Sequence, residues 1–496
     1  MQEVDTKDDQ LETNNFILPI DTGKESTWKF TYDILSNAIP ATFSLIFIFI
    51  TETINIAFIG RYDNSELISG IGIGTLYINA TGYILGVGLI GGLDTLCSQT
   101  YGAKLYNLMG IYVNITRIVV VFFFFFVCLP MVIFSSPILM SIGQFEKVSV
   151  IASEFCHSMT FSLFFSLQYT ISVRYLQSMN RFTPGMLITI FTALLHPIWC
   201  YFFIFYLELG VVGAGIATSL TQLLNLIIVT IYIHAKNPCP ESYFYINAEC
   251  FDWKLIWNYL RKGIPAALMS AADWIGFEVL TLMSSFISAD SLAANICLFN
   301  FITLIFMIPM GMSFATTTLV GNSIGAKNVE KAKKYTIASV ILAVSTISVT
   351  TILIMIYRES LPHFYTNEPK VAELVAGLLR IYVCFAVIDA AGIILIGAIK
   401  GLGMQSVASF ILLFILYPVN IPMAYYFAFV LDYGVYGLWY SQFISIVLMF
   451  ISFLSIVLYY DWNEIAKKAE KHFRKENRRV EESQLNSSSS YIKHMD

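Results

Sequence analysis

Charge is scarce in this chain. Only 13% of its 496 residues are Asp, Glu, Lys or Arg, about half the roughly 25% of a soluble domain. So little charge cannot cover an aqueous surface, which excludes an ordinary soluble globular protein. A basic stripe is missing too: the net charge is −5, and the acids gather in tails and loops, which excludes nucleic acid as a partner. The eight cysteines (Cys97, Cys128, Cys156, Cys200, Cys239, Cys250, Cys297 and Cys384) show no metal-ligand or disulfide spacing. They read as small core residues, and neither a metal nor a cofactor is implied. Residues 1–29 are polar and acidic, with Glu3, Asp5, Asp8, Asp9 and Glu12, and lack the basic, apolar and cleavable regions of a secretory signal. There is no His-Glu-x-x-His and no nucleophile elbow, so the chain is not read as an enzyme.

Apolar residues, by contrast, fill 57% of the positions and the mean hydropathy is +0.69. A helix that crosses a bilayer needs roughly 20 apolar residues. Such stretches are expected at 35–60, 67–93, 110–134, 150–178, 184–207 and 211–235, and again at 259–286, 291–320, 335–357, 373–398, 405–430 and 435–460. Lysine and arginine orient them. Loops 2, 4, 6, 8 and 10 hold Lys104, Arg181, Lys236, Lys254, Arg261, Lys262, Lys327, Lys331, Lys333, Lys334 and Lys400, while the odd loops hold only Arg61, Lys147, Arg358 and Lys370. Both termini are therefore expected to be cytoplasmic.

The sequence repeats itself. Ile39-Pro-Ala41 recurs as Ile264-Pro-Ala266, an offset of 225 (264 − 39). The stretch Thr95–Lys104 recurs as Thr318–Lys327 at 223 (318 − 95), both ending Gly-Ala-Lys. Gly210-Val-Val-Gly213 recurs as Gly434-Val-Tyr-Gly437 at 224 (434 − 210). Six spans per copy start both copies from the same side. The expected architecture is an all-α membrane protein, twelve transmembrane helices in two six-helix bundles related by a parallel pseudo-twofold repeat, with a cleft between them: a transporter plan. The divisions are a disordered cytoplasmic tail (1–29), a first lobe (30–235), a linker (236–257), a second lobe (258–460) and a basic tail (461–496). A duplicated bundle that transports nothing is the structural alternative.

Charges inside the bilayer are costly and are functional candidates by default. Glu278 and Asp389 each have apolar neighbours for a turn on both sides and no cation at helical spacing. Two carboxylates in a dry bundle cannot both ionise easily, so the pair suits binding and release of a proton; ionised, it could ligate sodium. Asp273 lies five residues before Glu278, about 140° around the helix, and could line the cleft. Glu52 occupies nearly the repeat position of Glu278 (278 − 52 = 226), and Asn55 shares its face; with Asn295 and Trp274 they are candidates for a substrate cavity. Asp389 has no acidic counterpart, since offset 223 lands on Ser166, which places cation coupling in the second half. Gly70, Gly74, Gly82 and Gly86 read as close helix contacts, Phe122–Phe126 as lipid-facing bulk, and Pro197, Pro309, Pro418 and Pro422 as kinks. Asn114 fits a glycosylation pattern but falls inside a span. In the tail, Trp462, Ile465, Ala469 and Phe473 recur among lysines and arginines, either as an amphipathic helix on the anionic leaflet or as a solvated tail.

Several motifs in order resemble the multidrug and toxic compound extrusion family, particularly its eukaryotic branch: Gly92-Leu-Asp-Thr-Leu-Cys-Ser-Gln-Thr-Tyr-Gly-Ala103, Phe277-Glu-Val-Leu280, Ile308-Pro-Met-Gly311, Val320-Gly-Asn-Ser-Ile-Gly325, Phe385-Ala-Val-Ile-Asp-Ala390 and Lys400-Gly-Leu-Gly-Met-Gln405. The likeness runs from about residue 30 to 460. It implies that acids matching Glu278 and Asp389 bind the coupling proton or sodium ion, and that organic cations or metabolites leave by antiport through rocking lobes. The chain departs from the family pattern at Asp273 (often Glu), Leu319 (usually Arg), Lys400 (commonly Arg) and Asn55 (an acid in bacterial members). The expected protein is a monomeric proton- or sodium-coupled exporter of a small organic molecule, in the plasma membrane or an organelle membrane. The competing readings are a lipid-linked glycan flippase of the same superfamily, which would want a more cationic cavity, and a channel or scaffold, for which no filter motif or acid ring is present. A major-facilitator carrier would explain twelve spans but not the Gln-x-x-Gly-Ala and Val-Gly-Asn motifs.

Overall fold

Backbone in hydrocarbon has no water to bond, so each span must satisfy its own amides as a helix. In the computed structural model, residues 27–62, 64–242, 245–366 and 368–493 are described, and among them no strand occurs. Eleven helices are long and apolar enough to cross a membrane, and a bent pair makes the twelfth. They are α1 (Thr27–Tyr62), α2 (Glu66–Gly102), α3 (Tyr106–Ile133), α4 (Glu146–Ser158 and Thr160–Ser178, bent by 47°), α5 (Thr183–Tyr206), α6 (Gly210–Lys236), α7 (Trp253–Ser285), α8 (Ala289–Gly325), α9 (Val329–Tyr357), α10 (Pro369–Gly401), α11 (Gln405–Val430) and α12 (Gly434–Tyr459). A thirteenth helix, α13, runs from Trp462 to Lys493. All twelve expected spans are present. Their ends differ where a helix runs on past its apolar window: α2 continues from 93 to Gly102 and α1 starts at Thr27, not 35. Hydropathy misses these turns because they are polar. Thr95, Ser98, Gln99 and Thr100 are buried against protein instead of lipid. The tail expected over 1–29 thus gives way to helix at Thr27; residues 1–26 lie outside the described residues.

The repeat is written into the backbone. Left-handed conformations occur at Lys104 and Lys327, Asn180 and Gly403, Glu208 and Asp432, and Gly210 and Gly434, four pairs at offsets of 223 or 224 (327 − 104, 403 − 180, 432 − 208, 434 − 210). Non-glycine residues in this region are uncommon, so the matches reflect one loop geometry used twice. Cross-connections place loops 2, 4, 6, 8 and 10 on one face, called here the even-loop face: Asn322 Nδ2 donates to Ser178 O (3.1 Å), Gln99 Nε2 donates to Gly401 O (2.8 Å), and Lys262 Nζ donates to Gly403 O. Loops 1 and 3 meet on the opposite face through Lys147 and Glu66 (3.3 Å).

The halves join near the even-loop face with reciprocal contacts. A Cβ on Gly321 would fall 2.1 Å from Ser98 Oγ; these two are repeat mates (321 − 98 = 223), so the pseudo-twofold axis passes between them. On either side, Gly102 abuts the Asn322 carbonyl and Gly325 the Gln99 carbonyl. Deeper, Gly88 abuts Ala267 and Gly311 abuts Thr42. Each contact is the repeat image of its partner. Glycine is needed here because any side chain would collide with backbone. The first helix of each half also starts seated on the other half. Phe30 and Ile34 of α1 pack with Leu319, Ala332 and Tyr335, while Leu255 and Tyr259 of α7 pack with Leu93, Leu96 and Tyr112.

Other expectations meet mixed outcomes. Phe122, Phe125 and Phe126 are exposed to the lipid side, but Phe124 turns into the core, since an α-helix cannot point five consecutive residues outward. Six of the eight cysteines are buried, whereas Cys297 is intermediate and Cys384 is exposed; a small thiol is tolerated on a lipid-facing surface. The apolar stripe of the tail does form a helix, but Trp462, Ala466, Phe473 and Val480 are buried against the protein, which corrects the expectation of a helix lying on the leaflet.

Candidate functional site

In the second half, α7 and α10 carry the three expected acids. None of Asp273, Glu278 and Asp389 has a hydrogen-bond or ion-pair partner among the described residues, and all three are half-buried. The grouping differs from the pair expected. Asp389 shares its electrostatic field with Asp273, and Glu278 has no charged group in its own. Helix geometry explains this. With Asp273 and Glu278 on different sectors of α7, one position can face α10 and the other cannot. Lys400, eleven residues (400 − 389) along α10 from Asp389, reaches the field of Asp273 as well. Asp273 and Asp389 in a shared field, and Glu278 apart from them, are carboxylates without fixed partners, each able to take up a proton or an alkali cation.

Asn295 is buried, its Nδ2 donates to Thr281 Oγ1 (3.0 Å), and its Oδ1 accepts from Trp439 Nε1 (3.0 Å). Both ends of the amide tie α7, α8 and α12 together. Trp274 meets Phe299 edge-on at 6.2 Å, next to the Phe277–Phe299 contact at 5.3 Å, forming a half-buried aromatic wall beside the acids.

The first half holds an enclosed cavity of about 50 Å³, lined by Glu52, Asn79, Tyr83, Thr192, Gln222 and Asn225 among others. Asn79 and Tyr83 enter it from a wide π-turn of α2 (Asn79–Tyr83), the kind of local insertion that re-aims side chains. Glu52 has no partner among the described residues. Asn55 does: its Nδ2 donates to Thr218 Oγ1 (2.9 Å) and its Oδ1 lies 3.1 Å from His196 Nε2. That oxygen can only accept, so the histidine nitrogen donates. About 50 Å³ of water-sized space holds a few waters or a cation with part of its shell, far below the roughly 300 Å³ of a drug-sized site. In this conformation Glu52 and Asn55 border an ion-scale chamber.

Sequence reasoning passed over Asp94 and Arg174. Arg174 Nε lies 3.4 Å from Asp94 Oδ1, and both side chains are about a tenth exposed (12% and 10%). The guanidinium also sits 3.9 Å from the ring centre of Phe314, on the other half. Thr95 Oγ1 donates to Lys400 O (2.6 Å) and Gln405 Nε2 to Thr95 Oγ1 (2.5 Å). These groups bolt the halves together near the even-loop face. The signal was available for one partner: Arg174 is a cation inside an expected span.

The geometry has counterparts among known proteins. The MatE family matches residues 40–202 and, a second time, 265–426. Multidrug and toxin extrusion protein 1 of Danio rerio is 27% identical over 438 residues, 88% of this chain and 73% of that protein. The human protein of the same name is 26% identical over 434 residues, 87% of this chain and 75% of that one. Protein DETOXIFICATION 16 of Arabidopsis thaliana is 28% identical over 427 residues, 85% of this chain and 86% of that one. The crystal structure of the eukaryotic MATE transporter AtDTX14 superposes with a TM-score of 0.82 at 24% identity, covering 90% of this chain and 100% of that chain. A MOP superfamily transporter from Pyrococcus furiosus superposes at 0.79 and 18% identity, covering 89% of this chain and 97% of that chain. These likenesses carry the two-lobed, twelve-helix fold.

Proposed function

Because the chain belongs to the MatE family of membrane transporters, we propose that it is an antiporter exporting amphipathic organic cations or related metabolites in exchange for protons, by alternating access. The observation that carries this reading is the set Asp273, Glu278 and Asp389: three intramembrane carboxylates without fixed partners, two of them in one field. Like charges that share a field favour binding one cation between them. The same oxygens could take sodium in place of a proton. The even-loop face, rich in lysine and arginine, is assigned to the cytoplasm, so the halves meet on the cytoplasmic side and the cleft opens outward. A proton bound at the acids from the outer side then favours the state that releases substrate, and the reciprocal effect follows by linkage. Glu52 supplies a further ion-binding position in the first half. The protein is assigned as a monomer in the plasma membrane or an organelle membrane. A glycan flippase is not favoured, since the lipid-linked anion it would carry finds acids, not cations, in the second half.

The test is efflux of ethidium from loaded vesicles under an imposed pH gradient, with and without sodium. Unsubstituted chain is compared with Glu278→Gln, Asp389→Asn and Asp273→Asn. A proton gradient alone should drive efflux, and Asp389→Asn should abolish it without loss of folded protein. Efflux driven only by sodium keeps the site and changes the ion. Efflux indifferent to gradients and to all three substitutions, across several cations, would overturn antiport.

A further inference from the structure

α13 lies outside both matched segments (40–202 and 265–426) and has no counterpart in the first half. After α6 the chain forms only a short helical turn at Ala248–Phe251. Its 32 residues span about 48 Å, enough to cross the even-loop face from one half to the other. Its anchors divide accordingly. On the second half, Trp462 is 2% exposed and donates Nε1–H to Val457 O (3.0 Å). Trp462 and Ala466 pack into the cluster of Leu319, Val320, Ile324 and Tyr335, and Glu470 pairs with Lys327 at 2.5 Å.

On the first half, Phe473 and Val480 pack with Leu108, Tyr112 and Val229. Between them Glu476, 5% exposed, accepts from Tyr112 Oη of the first half and from Asn258 Nδ2 at the start of α7, the second-half helix whose first turns are seated on the first half. His472 lies 3.2 Å from the same carboxylate, and Arg479 pairs with Asp252 at 2.7 Å.

A glutamate buried in the apolar stripe of a surface helix is informative. Its desolvation is offset only while its donors are in place, so this end of the helix is either fully docked or released into water. The surface beneath is where Ser98 faces Gly321 and the two halves touch. Separation of the halves here would carry Lys327 away from Tyr112, and one rigid helix cannot follow both. The second-half anchor begins only two residues after α12, with Asp461 between Tyr460 and Trp462, so it must travel with that half. The first-half anchor is the one free to let go.

We propose that α13 is a latch: it holds the even-loop face closed and undocks from the first half at Glu476 each time that face opens. The proposal rests on the alternating-access reading above. The test cross-links each anchor with a short bifunctional thiol reagent, with reagent-treated unsubstituted chain as baseline. Cross-linking Tyr112→Cys to Glu476→Cys should cut the initial rate of ethidium efflux about tenfold or more, with reductant restoring it to within about twofold. Cross-linking Lys327→Cys to Glu470→Cys should leave more than about half the rate, because the latch can still open. Normal efflux with the first anchor cross-linked overturns the latch while the transport reading stands. Failure of the untreated, unsubstituted chain to move any cation counts against transport itself. Independently of transport, spin labels at Lys475→Cys and Lys104→Cys should report two distances whose proportions change with pH or ethidium. A single distance under every condition overturns the latch whatever the efflux result.

Discussion

Adding one methyl group at Gly102 or Gly325 should open the even-loop face. A Cβ at Gly102 would lie 2.1 Å from Asn322 O and 2.8 Å from its carbonyl carbon, and one at Gly325 would lie 2.0 Å from Gln99 O and 2.9 Å from Ala103 N. The obstructing atoms are backbone, so no rotamer change relieves them; the halves must move apart by about an ångström or the closed state must bear the strain. Overpacking of this kind costs about 1–3 kcal/mol. Alanine also favours the helix by about 0.5–1 kcal/mol, but that gain is present whether the face is open or closed and leaves the balance untouched. The closed state should therefore lose a factor of about 5 to 150. Ser98→Cys, completely buried on the axis between the halves, serves as reporter through its alkylation rate in vesicles. Gly102→Ala and Gly325→Ala should each raise that rate by such a factor. Gly72→Ala, where a Cβ meets nothing within 4 Å, should not. Labelling that stays within about twofold of the parent in both variants would refute the claim that these glycines set the closed contact.

Two further outcomes follow from buried polar groups. Asn295→Leu strands the indole N–H of Trp439, while the Thr281 hydroxyl keeps its own donation to Phe277 O, so the folded protein should lose about 1–3 kcal/mol, seen as a lowered Tm in detergent; an unchanged Tm would show that the tie is dispensable. Arg174→Ala leaves Asp94 buried without its cation and should destabilise by about 3–5 kcal/mol. Arg174→Lys should recover only part of this because a compact ammonium cannot pair with Asp94 and cover Phe314 at once; full recovery would show that charge alone matters.

How much of this was legible in the sequence depends on what each signal senses. Hydropathy senses lipid contact, and it located all twelve spans. It was blind to Asp94–Gly102, where polar side chains are buried by the other half of the protein. The repeat read from Gly210 and Gly434 was legible because left-handed loops constrain residue identity. The tail was half legible: its periodicity marked a helix, but a stripe of Trp462, Ala466, Phe473 and Val480 has the same pattern whether it meets lipid or protein. Glu476 was the distinguishing residue, since an acid within an apolar stripe would be repelled by an anionic leaflet and is at home against Tyr112 and Asn258. Rarity in the span draws Glu278 and Asp389 together in the sequence, whereas the structure puts Asp273 in the electrostatic field of Asp389.

The two copies have diverged unevenly, and geometry explains where. At the axis the contacts come in repeat-related pairs: Gln99 reaches Gly401 as Asn322 reaches Ser178, with both members of each pair at offset 223 (322 − 99, 401 − 178). A change on one side alone would break a match that the other side still imposes, so both copies are held. The lobe interiors carry no such obligation. There α10 holds Asp389 where α4 holds Ser166, whose hydroxyl merely donates to Leu163 O (3.0 Å). A histidine at 196, bonded to Asn55 and Thr221, stands opposite Asn420, which is bonded to Gln442 (2.8 Å); these are again mates at 224 (420 − 196). In the antiport proposed above, symmetry at the axis would let the halves rock about it, and asymmetry inside them would let one half carry the driving ion while the other carries a different polar load.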